Sequence, residues 1–333
     1  MRLLWITHRR SEEMSYASRR GIAGALEARG WSIEWMSPDG QHRVERSTRL
    51  GRGHRSFTRS VSTTLAKMDL KGFSAAIVEW TAGAGATKSL SAAGLPWVIM
   101  DRSPPVSTGV VGWLQSIQYR KAWSMASQLA AGRAVKSPHM ATSQEWSGPS
   151  AVVPAGVSIE HFRPASMNED PIIVCHGSLD RERELHRLVE MGFQPYLFGA
   201  GNDAQRLSEL TRVEGAGPVA QRLAACDIGV MHLPARDVWK HASPLKVAEF
   251  AAAGLPVVAS EVSGLVRYRD SDWLKLIPLG DDGACQEALL ELCALSLEQR
   301  KRLGDSARKE AQDSMAWTHC TEDLHAMLIE VKR

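Results

Sequence analysis

Lys246 and Glu249 stand one helical turn apart in SPLKVAEFAAAGLPVVAS, residues 243–260, and are the only charged residues in that stretch. As an ordinary i,i+3 surface pair they would contribute a few tenths of a kcal/mol. Their neighbours Val247, Ala248, Phe250, Ala251 and Ala252 leave little room for a solvated face. A carboxylate in such company needs a partner, because an unpaired buried charge is very costly. The chemistry that fits is recognition of an anion together with hydroxyls. Ser243 is a favoured N-cap residue and Pro244 a favoured first helical residue, so the helix is expected to begin there. The amides of Ser243, Pro244's successor Leu245 and the rest of that turn end a positive dipole, and Lys246 adds a full charge. Glu249 lies about 7–8 Å further along the axis. A carboxylate only accepts hydrogen bonds and can take them from two vicinal hydroxyls. An anion at the helix tip with hydroxyls beyond it describes a nucleoside diphosphate and its ribose.

The elements that must position this helix are legible as apolar runs rich in Val, Ile and Leu. These are residues 3–7, 32–37, 75–80, 97–100, 172–176, 195–198, 228–233 and 256–260. Helical patterns such as SRRGIAGALEARG and VAQRLAACD lie between them, so strands alternate with helices as in parallel βαβ units covered on both faces. AAGLPWVIM (92–100) echoes AAGLPVVAS (252–260). In both, a glycine suits the left-handed position after a helix, and the proline that follows next but one forbids its continuation. Found twice, the pattern predicts two similar α/β domains in tandem. AVVPAGVSIEHFRPAS (151–166), interrupted by Pro154, Gly156 and Pro164, is the expected connection. Ligands of such open sheets bind at the C-terminal ends of the strands.

The 333 residues suit two domains of ordinary size, and no apolar run approaches the ~20 residues of a spanning helix. MRLLWITHRR is too short in its apolar part for a signal-peptide core, so the expected location is cytoplasmic. Cys175, Cys226, Cys285, Cys293 and Cys320 are odd in number and contain no C-x-x-C pair. They read as reduced thiols, and no metal site is expected. Residues 1–165 carry 21 Lys and Arg against 11 Asp and Glu, a net of +10, while the remainder nets −7. Either the first half meets something anionic or the division is chance variation on a solvated surface. QHRVERSTRLGRGHRSFTRS (41–60) holds Arg43, Arg46, Arg49, Arg52, Arg55 and Arg59. Gly51 and Gly53 argue against a continuous helix there, leaving a polybasic loop. Such a loop would engage an anionic lipid surface or a phosphate-linked acceptor, or would simply be solvated. Nucleic acid is not expected, since only Phe57 is available for stacking.

SPLKVAEFAAAGLPVVAS resembles the donor-binding signature of the retaining GT-B glycosyltransferases, family four. VVPAGVSIEHFRP is similar to that family's linker, YLFGAGN (196–202) to its Gly-x-Gly strand end containing Gly199, and AACDIGVMHLP to a following strand. SMAWTHCTEDLHAMLIEV, with Trp317, resembles its final helix. The resemblance covers about 150–333. It implies an N-terminal acceptor domain (1–155) and a C-terminal donor domain (165–314), facing across a cleft, with the 315–333 helix packing back on the first. It also implies a metal-independent hexosyl transfer without cofactor. The donor would be a UDP- or GDP-linked sugar and the acceptor lipid-linked, a glycan or a small molecule. A peripheral place at the inner membrane face would follow from the arginine segment.

The resemblance also assigns residues, with departures. Glu249 would bind the ribose, and Lys246 with the Ser243–Leu245 backbone the phosphates. The family's Gly-Arg-Leu-x-x-x-Lys is here Gly177-Ser178-Leu179-Asp180-Arg181-Glu182-Arg183. Arg183 takes the lysine position and Ser178 the arginine position. Arg181 either supplies the missing charge or, with Arg183, pairs with Glu182 and Glu184. The sugar-contacting glutamate is replaced by His241. In the first half, Asp101 and Arg102 follow a strand where the family contacts acceptor or sugar. Ser15 and Tyr16 lie in a loop that lacks the usual glycine pair. A sugar-nucleotide 2-epimerase of the same plan, and a binding scaffold without turnover, are the rival readings.

Overall fold

The computed structural model describes residues 1–46, 53–102, 104–105, 109–142 and 145–332. The chain divides into two compact units, Met1–Pro154 with Cys320–Arg333, and Ala155–His319.

The first unit is built on seven strands. They are β1 (Arg2–Ile6), β2 (Ser32–Ser37), β3 (His42–Arg43), β4 (Ala75–Glu79), β5 (Trp97–Asp101), β6 (Gly132–Val135) and β7 (Ser150–Val152). Their order is β3-β2-β1-β4-β5-β6-β7. The second has six, β8 (Ile173–Ser178), β9 (Tyr196–Ala200), β10 (Val213–Glu214), β11 (Ile228–Met231), β12 (Val257–Ser260) and β13 (Leu274–Ile277), ordered β10-β9-β8-β11-β12-β13. Neighbouring strands pair in parallel in both sheets. Each unit therefore has the doubly wound 3-2-1-4-5-6 order, with a switch point between its first and fourth strands. The all-apolar runs are the central strands: β4 and β5 are buried at every residue.

In the first unit the helices are α1 (Ala17–Glu27), α2 (Gly53–Leu65), α3 (Gly83–Ala92) and α4 (Gly109–Leu129). Phe57 and Val61 of α2, Leu90 of α3, and Ala122 and Trp123 of α4 pack into one core with Leu4, Ile6, Val78 and Ile99 of the sheet. The closing helix Glu322–Val331 belongs to this unit, and it is seated where Gly132 lacks a side chain. A Cβ there would lie 2.8 Å from the Met327 sulfur. Trp31 Nε1 donates to His325 Nδ1 at 3.1 Å and Arg29 donates to Thr321 Oγ1 at 2.9 Å.

The connection between the units has its own logic. Val157 donates its amide to the Met315 carbonyl at 2.8 Å, and Trp317 returns a bond to the Val157 carbonyl at 3.2 Å. Gly156 lies under the Trp317 ring, where a Cβ would approach to 2.7 Å. The Pro-x-Gly-Val stretch and the tryptophan thus serve one contact within the second unit.

The repeated AAGLP segments occupy the same place in both units, ahead of β5 and of β12, the fifth strand of each winding. Gly94 has φ +60° and Gly254 +72°. Beyond them Leu95 donates to the Leu90 carbonyl and Leu255 to the Phe250 carbonyl, both at 3.0 Å. This is the Schellman closure that satisfies the helix's last carbonyls.

Two expectations are corrected. Residues 53–60 are not loop: α2 begins at Gly53, so Arg55 and Arg59 are helical, while Arg49 and Arg52 lie outside the described residues. Gly53 opens a helix rather than breaking one, which a terminal position permits. Arg46 is committed to the His8 carbonyl at 3.0 Å and to Glu13 at 2.8 Å. The second correction concerns Ser243, which does not cap the helix. The cap position is Pro244, in extended conformation, and the helix runs Leu245–Ala252. The Ser243 hydroxyl instead accepts from the Ala155 amide at 2.8 Å.

Gly94→Ala is expected to lower stability by about 1–2 kcal/mol, the left-handed penalty alone, since open space surrounds that position. Gly254→Ala should cost more, because its Cβ would also meet the Gly304 carbonyl oxygen at 3.3 Å. Denaturant titration of the two variants measures the difference.

Candidate functional site

The C-terminal ends of β8 and β9 come unusually close. Gly199 has φ +149°, and a Cβ on it would stand 1.8 Å from the Gly177 carbonyl oxygen. Gly201 is equally confined, against Leu179. Only glycines allow this approach, which accounts for the G-x-G spacing. Gly177 itself has φ +100°, and among the described residues the only atom near its missing side chain is the Lys246 Nζ, 4.0 Å away. Strand end and helix start therefore enclose one spot, at the switch point between β8 and β11.

Three ionisable side chains converge on it. Lys246 reaches Cys175 Sγ at 3.8 Å. Burial first, and then the neighbouring positive charge of Arg183, lower its pKa, against the opposing pull of Cys175 and Glu249. Arg183 lies over the Trp239 ring, its guanidinium carbon 4.2 Å from the centroid. Such a contact contributes about 0.5–2 kcal/mol. Burial also lowers the Arg183 pKa. Neither cation enters an ion pair among the described residues. Glu249 is 22% exposed and approaches His176 Nε2 at 3.3 Å. Burial pushes its carboxyl up to about 7, with Lys246 opposing. His176, pressed flat on Phe198 and edge-on to Phe250, is lowered to about 3 by burial and then by Lys246. It stays neutral at physiological pH, so its contact with Glu249 is not a charge pair. The carboxyl is consequently held near its own midpoint, a condition associated with functional sites.

The other expected residues are placed as follows. Leu245 and Pro244 form the helix start beside Lys246. Ser178 donates its hydroxyl to Asp180 at 2.6 Å. Arg181 is 73% exposed and pairs with Asp203 at 3.6 Å, so unlike Arg183 and Lys246 it has a carboxylate partner. His241 ends the short helix Asp237–Lys240 and is partly buried. In the first unit Asp101 is fully buried and accepts from the Tyr119 hydroxyl at 2.6 Å. Arg102 donates to the Val153 carbonyl; burial, then Arg19, brings its pKa down to about 10. The Ser15 hydroxyl is buried and has no hydrogen-bond partner among the described residues. Tyr16 packs against Trp35, its ring centroid 5.2 Å away, and burial raises its hydroxyl to about 12.

Sequence reasoning missed His176, Trp239 and Cys175 as parts of the site. The available signal was position: His176 immediately precedes Gly177 at a strand end. It also missed a buried pair in the first unit. Arg19 Nε and Nη2 donate to the two Glu79 oxygens at 2.6 and 2.8 Å. His8, lowered to about 3 chiefly by burial, lies beside them and meets Thr81 Oγ1 at 2.8 Å.

Solved structures share this architecture. Sucrose-phosphate synthase from Thermosynechococcus elongatus is 19% identical, with 99% of this chain and 96% of that one covered at a TM-score of 0.70. Anabaena HepE, solved in complex with UDP-glucose, is 14% identical over 99% and 100%, with a TM-score of 0.74. WaaG, a glycosyltransferase involved in lipopolysaccharide biosynthesis, is 13% identical over 98% and 99%, at 0.70. The fold is that of the GT-B glycosyltransferases. Residues 170–294 match the family model described as Glycosyl transferases group 1. That match lies within the second unit. That segment contains Gly177, Arg183, Lys246 and Glu249. Among curated protein sequences, none matches the chain.

Because the folded Glu249 keeps its proton to higher pH than an unfolded glutamate, its contribution to stability is present at low pH. It is lost as pH rises from about 4.5 to about 7. Glu249→Gln should therefore melt above the wild type at pH near 8 without nucleotide, and the gap should shrink on acidification. Thermal denaturation across that range would show a constant gap if the carboxylate were charged at no cost.

Proposed function

We propose that the chain is a retaining, metal-independent glycosyltransferase of family four that transfers a hexosyl group from a nucleoside diphosphate sugar. The reading rests chiefly on one observation: Lys246 and Arg183 share the glycine-lined end of β8 without a carboxylate pair, with Glu249 one turn beyond. Two partly buried cations without an ion pair among the described residues suit a pyrophosphate, and Lys246 with the amides from Leu245 onward would bind it. Arg183, held by Trp239, would meet the charge that grows on the departing diphosphate. Glu249 would accept from the ribose hydroxyls, with His176 packed behind it. His241 would face the sugar. HepE's complex with UDP-glucose favours a UDP-linked donor, with a GDP-linked one as the alternative. The acceptor would be lipid-linked, a glycan or a small molecule held by the first unit, where Asp101, Arg102, Ser15 and Tyr16 are the candidate residues.

Ser178 supports a second reading. With a hydroxyl turned to Asp180 where the family has an arginine, the chain would bind a nucleotide without turning it over.

Calorimetry with UDP, GDP, ADP and their sugar conjugates tests the donor site. One nucleotide should bind, with affinity unchanged by EDTA and reduced about 10- to 100-fold in Glu249→Ala and in Lys246→Ala. Binding untouched by both substitutions would remove the assignment. Arg183→Ala should lower turnover by about 100-fold or more while leaving nucleotide binding less affected. A wild type that binds but consumes no donor would establish the scaffold reading, and product formed from donor alone the epimerase.

A further inference from the structure

Helices α2, α3 and α4 lie side by side over one face of the first sheet and share its core. None of the three contains an aspartate or glutamate. Arg55, Arg59, Lys88, Arg120 and Lys121 are all exposed on them, and none forms an ion pair among the described residues. In a chain with 37 acidic residues, a three-helix layer without one is a strongly biased surface.

The same layer carries an apolar stripe. Val110, Trp113, Leu114 and Ile117 follow the i, i+3, i+4, i+7 spacing that normally marks a buried helix face. Here all four are exposed, Val110 at 74% and Trp113 at 62%. The opposite side of α4, with Gly112, Ala122, Trp123 and Ala126, is the side in the core. Continuing along the stripe by one turn reaches Arg120 and Lys121. The exposed face of α4 thus runs from aliphatic and indole groups into basic ones.

We propose that this face of the first unit docks on an anionic lipid bilayer, with the Val110–Ile117 stripe entering the headgroup–acyl boundary and the basic groups of α2, α3 and α4 meeting lipid phosphates. The combination is that of an interfacial helix, in which apolar burial and electrostatic attraction add. No helix among the described residues is long and apolar enough to cross a membrane; α4 would lie along the surface. A second copy of the chain is the less favoured occupant, since a twofold contact through this layer would set its unpaired cations against each other. Nucleic acid would use the cations but leave the aliphatic stripe wet. The proposal is independent of the donor site.

The test is flotation of the full chain with vesicles of phosphatidylcholine alone and of phosphatidylcholine mixed with phosphatidylglycerol. The wild type should float with the anionic vesicles and lose most of that binding on the neutral ones. Trp113→Ser with Ile117→Ser, and separately Arg120→Glu with Lys121→Glu, should each weaken anionic binding by about tenfold or more, with circular dichroism unchanged. Added salt should weaken the wild type and hardly affect what binding remains in the charge-reversed variant. Glu249→Ala should float like the wild type, which separates this surface from the nucleotide site. A wild type that stays with the soluble fraction would overturn the proposal, as would variants that float unchanged. Tighter binding to a single-stranded oligonucleotide than to vesicles, or a dimer in sedimentation that the Trp113 and Ile117 substitutions dissociate, would assign the face to those partners instead.

Discussion

Placing two cations beside one another inside a partly buried pocket is unfavourable unless something negative joins them. Lys246 and Arg183 are so placed, and each depresses the proton affinity of its surroundings. Among the described residues no salt bridge neutralises them; weak, neutral contacts hold them. Lys246 has the Cys175 sulfur, and Arg183 has the face of Trp239. These contacts fix position without cancelling charge, so the attraction stays available to a ligand. The rest of the second unit follows from that requirement. Gly177 must be a glycine because its φ of +100° at the strand end is one that side chains rarely adopt. Gly199 must lack a side chain for β9 to run alongside Gly177. The helix start must point its amides at the same spot. Replacing the neutral contacts by a carboxylate would stabilise the empty protein and remove the reason for the site.

The first unit repeats the winding and treats its switch point differently. At the ends of β1 and β4 the charges are already paired: Arg19 and Glu79 make a two-pronged contact with both side chains almost fully buried. Such a pair is neutral toward an incoming ligand, and removing either member would strand the other at a cost of about 3–5 kcal/mol. His8, held neutral beside it, offers hydrogen bonding rather than charge. One frame therefore presents an electrostatic edge in one copy and a neutral polar edge in the other. This is the division that the proposed donor and acceptor roles would require of the two units.

What could be read beforehand follows from what is local. The eight apolar runs are strands, and in β4, β5, β11 and β12 burial at every residue leaves no polar alternation to misread. The AAGLP echo falls at the same strand of each winding because helix termination depends on a few adjacent residues. The strands at β3, β6, β7, β10 and β13 went unread. They are two to four residues long, and GRAV and SAV contain too few apolar residues to signal. Ser243 was misassigned as a cap because its hydroxyl has a better partner, the Ala155 amide, 88 positions away in the chain. His176 and Trp239 escaped notice for the same reason. A histidine between two phenylalanines, and a tryptophan under an arginine, are made by packing strand against helix, and no periodicity announces them. Glu249 was legible because its anomaly is local, one charge among apolar neighbours.

Net charge also behaves differently at the two scales. The second half of the chain is acidic overall, yet it holds the pair of unmatched cations. A pyrophosphate within a few ångströms responds to Lys246 and Arg183 directly, while the surrounding carboxylates are screened over roughly 8 Å at physiological ionic strength. The first half is basic overall, and there the bias is spread over a helical layer rather than focused in a pocket. Spread charge attracts a surface and focused charge attracts a molecule. The +10 of the first half therefore argues for an extended anionic partner, and it says little about the small anion proposed for the other half.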